Sequence, residues 1–186
     1  MSLHLAIDPG LTGAICLFDP ATRTAVFWDT PTVTLKVGKK FKRQMDLSAI
    51  VRLLKDVAVG KDVFVTIEKV NAMPRIGGID GGSSMGATSA FNFGCGFGMW
   101  LGILTALEIP FQQVHPATWK SRVMADCSKE KDASRVKAMQ MFPKTAGDLM
   151  RKKDHGRADA LLIAAWAATY SPQPSIAVEA KEKTLF

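Results

Sequence analysis

Apolar positions fall in short runs separated by turn residues, and most runs have the length of strands. Residues 3–7 (Leu-His-Leu-Ala-Ile) are apolar and run into the acid Asp8, after which Pro9-Gly10 turns the chain. Residues 13–18 form a second apolar run stopped by Asp19-Pro20, and residues 24–28 form a third. The turns between them are short, which predicts an antiparallel meander. Asp46 is placed to cap a helix carrying Leu47, Ile50, Val51, Leu54 and Val57 at helical spacing, ended by Gly60-Lys61. Residues 63–68 are almost continuously apolar, as in a buried central strand, and this run also ends in an acid, Glu68.

The second half reads mainly as helix. Residues 71–88 contain Gly77, Gly78, Gly81, Gly82 and Gly86 and predict a mobile loop. Residues 89–108 read as a long apolar helix ended by Pro110, and 111–114 as a fifth strand. Pro116 opens a short helix through Trp119-Lys120, and another spans roughly 131–141. Asp154-His155-Gly156 starts a strong helix through Ala167. Beyond it Pro172 and Pro174 break the pattern, so residues 1–170 read as one domain and 171–186 as a flexible tail. This order suits an α/β fold: a mixed five-stranded sheet, its first three strands antiparallel, with helices on both faces.

Composition narrows the function classes. The 186 residues have a net charge of +7, which makes a polyanion such as nucleic acid a natural partner. Cys16, Cys95 and Cys127 are an odd set without CxxC or zinc spacing, so they read as reduced thiols in an intracellular, reducing compartment. The start, MSLHLAIDPG, has no basic segment and does not read as a signal peptide. The longest apolar stretch, 97–107, is broken by Gly98 and Gly102 and is too short to span a bilayer. No membrane and no small-molecule cofactor is expected.

Three acids stand out. Asp8 and Glu68 end apolar strands, and Asp159 lies on an apolar helix between Ala158 and Ala160. A carboxylate in such surroundings is costly unless it is paired or bound to a cation. Asp8-Pro9-Gly10 also fits an Asx turn. Lys61 or Lys69 could pair with Glu68, and Lys153 or Arg157 with Asp159. Taken together, three carboxylates from distant segments of a basic chain point to a hard cation with oxygen ligands, such as magnesium.

The motifs around these acids resemble those of RuvC-type Holliday junction resolvases. The resemblance runs through Ala6-Ile7-Asp8-Pro9-Gly10-Leu11-Thr12-Gly13, Ile67-Glu68-Lys69-Val70, the glycine-containing helix from Ser89, Val114-His115-Pro116-Ala117-Thr118-Trp119-Lys120, and Ala158-Asp159-Ala160-Leu161. It covers about residues 4–168 and implies an RNase H-like fold and a homodimer. It also implies two Mg2+ ions per active site, with Mn2+ able to substitute, and paired nicks across a four-way DNA junction. Asp8, Glu68 and Asp159 then hold the metals, and Lys120 stands near the scissile phosphate.

Two positions depart from the family pattern. Where the family has an acid or histidine three residues before the last aspartate, this chain has Gly156. His155 lies ~40° around a helix from Asp159 and has the better angle; Asp154 lies ~140° around and has the better chemistry for magnesium. Asp154 could equally be a helix cap. Where the family places an aromatic wedge after the second acid, this chain has Asn71, which leaves Met73 or Arg75 to open the junction.

Lys36, Lys39, Lys40, Lys42 and Arg43 form a basic run suited to DNA phosphates, or alternatively a solvated hairpin tip. Lys129, Lys131, Arg135, Lys137, Arg151, Lys152, Lys153 and Arg157 could extend that surface. Helix 89–108 is apolar enough to serve as a dimer face or as a buried central helix. A nuclease on another branched or hybrid substrate, and a junction-binding protein without catalysis, are competing readings. The sequence is compatible with a host, phage or organellar setting.

Overall fold

A computed structural model describes residues 2–70, 86–128, 130 and 132–171. Strands β1 (Leu3–Ile7), β2 (Ala14–Asp19) and β3 (Thr24–Asp29) form the antiparallel meander. Next comes a separate two-stranded hairpin, β4 (Thr32–Val37) and β5 (Lys40–Met45), followed by helix α1 (Leu47–Val57). Strand β6 (Val63–Glu68), helix α2 (Ala87–Ala106) and strand β7 (Phe111–Val114) complete the sheet, whose order is β3-β2-β1-β6-β7. Helices α3 (Pro116–Val123), α4 (Ala133–Met141) and α5 (His155–Tyr170) follow, with 3-10 segments Pro143–Leu149 and Lys152–Asp154 between the last two.

The alternation of side chains along the central strands divides the core in two. Leu5, Ile7, Ile15, Val65 and Ile67 pack with Ile50 and Leu54 of α1 and with Trp100 and Leu104 of α2. Ala6, Ala14, Cys16 and Phe18 face the other way, onto Leu161, Leu162 and Ile163 of α5. Successive residues of a strand point to opposite faces, so a run buried on both sides must be apolar throughout. Asp46 caps α1 as expected, its Oδ1 accepting the Ala49 N–H at 2.9 Å.

The hairpin β4–β5 is absent from the expected element order. Its signal is nevertheless present: Thr32-Val33-Thr34-Leu35-Lys36-Val37 alternates strictly, and Gly38 turns the chain with φ +61°. The density of charge in the basic run masks the strand period. Lys36 and Lys40 stand in register with Phe41 and Val37, so the run lies in and beside the turn of this hairpin. The glycine-rich loop, with Met73 and Arg75, falls outside the described residues, as do Lys129, Lys131 and 172–186.

Two glycines fix how α5 meets the sheet. A Cβ on Gly156 would lie 2.5 Å from the Thr12 carbonyl oxygen and 2.8 Å from Gly13 Cα. A Cβ on Gly13 would lie 2.1 Å from the Asp8 carbonyl oxygen. The first turn of α5 is thus seated backbone-to-backbone on the β1–β2 turn. Gly156→Ala should cost about 1–3 kcal/mol through this overpacking. Gly147→Ala, with open space at its Cβ, should stay within about 0.5 kcal/mol. Thermal melts of the two variants, side by side, check the contrast.

Candidate active site

Asp8 and Glu68 leave neighbouring parallel strands at the same end of the sheet, one residue beyond the pair Ile7 and Ile67. Asp8 is held by its backbone, whose N–H donates to the Ala14 carbonyl at 2.9 Å. Its Oδ1 lies 3.4 Å from the Gly10 N–H, an Asx-type contact, so the turn reading and the site reading of Asp8 hold together. Glu68 Oε1 accepts a hydrogen bond from Trp119 Nε1 at 2.8 Å. Asp159 sits one turn into α5, and its buried Oδ1 has no hydrogen-bond partner among the described residues.

The three acids share one electrostatic environment. Burial, then the charges of Asp159 and Glu68, push the Asp8 carboxyl up to about 7, against the Gly10 N–H and Lys120. Burial also raises Glu68, aided by the charge of Asp159 and opposed by the Trp119 N–H and Lys120. Asp159 is raised by burial against the Ser134 hydroxyl, Lys120 and His155. Lys120 therefore acts on all three carboxylates. The lysine and arginine partners that the sequence allowed for Glu68 and Asp159 are not used: Arg157 instead pairs with Asp29 at 2.6 Å.

Asp154 has a different environment from His155. It is buried, and Arg151 binds it through the guanidinium at 2.8 Å and the backbone N–H at 2.8 Å. Burial alone would raise its carboxyl, but Arg151 holds it below the ordinary aspartate value. The His155 charge, by contrast, acts on Asp159.

An oxygen-rich, mutually repelling set with one orphaned buried oxygen fits a hard cation better than it fits a core. Among the described residues, no three His, Cys, Asp or Glu side chains already stand in an arrangement that grips a single ion.

Positive charge is concentrated on the hairpin, where Lys36, Lys39, Lys40, Lys42 and Arg43 are all exposed. Arg43 Nη2 donates to the Leu11 carbonyl at 3.0 Å and so ties the hairpin to the turn that follows Asp8. A cavity of about 630 Å³ lies between that turn, β5 and α2, lined by Leu11, Lys42, Arg43, Phe93 and Met99 among others. The second basic surface is smaller than its residue count suggests. Arg135 pairs with Asp132, Lys137 with Asp126, Arg151 with Asp154 and Arg157 with Asp29. Lys152 and Lys153 remain exposed there. Sequence reasoning missed Trp119 as a partner of Glu68 and Arg151 as the partner of Asp154. The one available signal was a tryptophan placed directly before Lys120 in a short helix.

The Asp8 shift makes a stability prediction. An acid raised from its ordinary 3.8 to about 7 binds its proton more tightly in the folded state. The stability it contributes is complete below about pH 4 and is lost as pH rises to about 7. Asp8→Asn removes this titration and, at pH 8 in EDTA, should stabilise the chain by about 2–4 kcal/mol. Chemical denaturation at pH 4, 5 and 8 should show the gap between the two proteins small at pH 4, partly open at pH 5 and fully open at pH 8.

No family model matches the chain. Over 70 residues it is 46% identical to a Chlamydomonas reinhardtii protein named Holliday junction resolvase MOC1, chloroplastic. That stretch is 38% of this chain and 8% of the relative, so the chain matches only a small part of that protein's length. Among solved structures, T. thermophilus RuvC in complex with Holliday junction substrate superposes with a TM-score of 0.53 at 13% identity, over 91% of this chain and 97% of that one. No helix among the described residues is long and apolar enough to cross a membrane. The mixed five-stranded sheet with helices on both faces is the RNase H-like fold of RuvC.

Proposed function

We propose that the chain is a divalent-metal-dependent endonuclease that resolves four-way (Holliday) DNA junctions by paired phosphodiester hydrolysis. The observation that carries this reading is the convergence of Asp8, Glu68 and Asp159 around Lys120 at one end of an RNase H-like sheet. The names of the two similar proteins support a four-way junction, rather than a hybrid or linear duplex, as the substrate. A site that only bound DNA would gain nothing from clustering carboxylates beside it, because phosphate repels them.

Residues 1–170 would make up the nuclease domain. Asp8, Glu68 and Asp159 would hold two Mg2+ ions, with Mn2+ able to substitute. His155 is the better candidate to complete the set, because Arg151 already occupies Asp154. When bound, the ions supply an activated water and neutralise charge at the scissile phosphate. Lys120 adds a positive charge for the phosphoryl oxygens as charge builds on them. Its attraction to all three acids also offsets part of their mutual repulsion.

The hairpin would track phosphates through Lys36, Lys39, Lys40, Lys42 and Arg43, with Met73 or Arg75 opening the junction. A homodimer would place two such sites on opposed strands. Its interface would draw on exposed apolar residues of α2, of which Phe93 (38% exposed) and Met99 (45%) line one cavity and Phe91 (71%) points away from Phe93. The setting would be intracellular and reducing, and an organellar one is compatible with the chloroplastic relative.

The direct test is cleavage of a labelled immobile four-way junction with Mg2+, beside linear duplex and RNA–DNA hybrid. Symmetric nicks in the junction alone, abolished by EDTA and by Asp8→Asn, are expected. Cleavage of hybrid or duplex in preference to the junction would overturn the substrate. Replacing Lys39, Lys40, Lys42 and Arg43 by Ala should weaken junction binding. It should also flatten the dependence of binding on log salt, by up to about 0.9 for each phosphate no longer neutralised. Binding titrations at three salt concentrations measure that slope.

A further inference from the structure

Trp119 is fully buried, yet it is placed among groups of the site rather than only among apolar ones. Its indole Nε1–H donates to Glu68 Oε1 at 2.8 Å, and Lys120 Nζ lies 5.1 Å from its ring centroid. It stands on α3, which begins directly after β7 and packs against α5, the helix that carries Asp159. The end of β6 is fixed to the same place, the Lys69 N–H donating to the Val114 carbonyl at 2.7 Å. A glutamate has three side-chain torsions, and a free one would sample many carboxylate positions. A donor on a rigid buried ring restricts them and leaves the second oxygen available.

We propose that Trp119 is a positioning residue: its N–H aims the Glu68 carboxylate at the metal site, and its ring face seats Lys120 beside that carboxylate. The inference rests on the reading of Glu68 as a metal ligand. The buried Trp100 indole N–H has no acceptor among the described residues, whereas that of Trp119 is spent on the Glu68 carboxylate. Partners that orient a ligand from behind are worth about 10–100-fold in metal affinity. An ammonium over an indole face is held there by the ring quadrupole. One side chain thereby couples the acid that grips a cation to the cation that faces the phosphate.

Two variants separate these roles. Trp119→Phe keeps a ring face and loses the N–H; Trp119→Leu loses both. Mn2+ affinity, read by electron paramagnetic resonance of the free ion, should fall about 10-fold or more in both. At saturating Mn2+, junction cleavage should recover in Trp119→Phe and stay low in Trp119→Leu, where Lys120 has no ring to lie on. A folded Trp119→Phe that binds Mn2+ as tightly as the wild type overturns the assignment.

If neither variant folds, the wild type answers instead, through its four 15N-labelled indole N–H signals during a Mg2+ titration. One signal should move with metal occupancy, and that response should vanish in Glu68→Gln. Four indifferent signals would overturn the assignment. A wild type that binds Mn2+ but leaves junctions uncut would remove the proposed substrate and leave the role of Trp119 standing on the binding data. A wild type that binds no Mn2+ would overturn both.

Discussion

The close approach of two backbones, the β1–β2 turn and the first turn of α5, is the constraint on which the site depends. Gly13 folds the turn back over the Asp8 carbonyl, and Gly156 lets the helix rest on Thr12 and Gly13. Any side chain at either position would fill the space that brings Asp159 near Asp8. The alanines on both sides of this contact, Ala6 and Ala14 on the strands and Ala158 and Ala160 on the helix, extend the same close packing into the core. Where the motif resemblance predicts an acid or a histidine, Gly156 leaves no room for a side chain.

This arrangement opposes stability. Three carboxylates are drawn out of water and toward one another, and burial and mutual repulsion raise their proton affinities. The fold tolerates it because the acids sit at strand ends and a helix start, beside a core that is otherwise apolar on both faces of the sheet. Lys120 and Trp119 relieve part of the repulsion without neutralising any acid through a close ion pair. The groups that do form close ion pairs, such as Asp154 with Arg151 and Asp29 with Arg157, lie around the site and fix its frame.

Much of this could be read from the chain because burial and chemistry contradict each other at Asp8, Glu68 and Asp159. An acid at the end of a doubly buried strand is visible without any structure, and the strand runs that carry the acids define the sheet and its meander. The hairpin was legible only as a solvated tip for the basic run; its two strands were not, because its charges mask a clean two-residue alternation, and because it stands outside the main sheet and owes the core little. The partner of Asp154 was illegible for another reason. Arg151 reaches it through a 3-10 turn, and a regular helical wheel does not describe that spacing. Trp119 and Glu68 are 51 residues apart in sequence, and the pairing of Glu68 with Val114, five residues before Trp119, brings them together.

The order in which the acids occur along the chain has a consequence during synthesis. Asp8 and Glu68 are both made early, and β1 and β6 can pair as soon as β6 exists. Asp159 arrives last, on the helix whose docking also closes one face of the core. A ribosome-bound chain released only as far as β6 holds two of the three carboxylates and a sheet face that α5 has yet to cover. The third carboxylate and the second core layer come in the same event, so the chain gathers its proposed cation ligands only when it gains its fold.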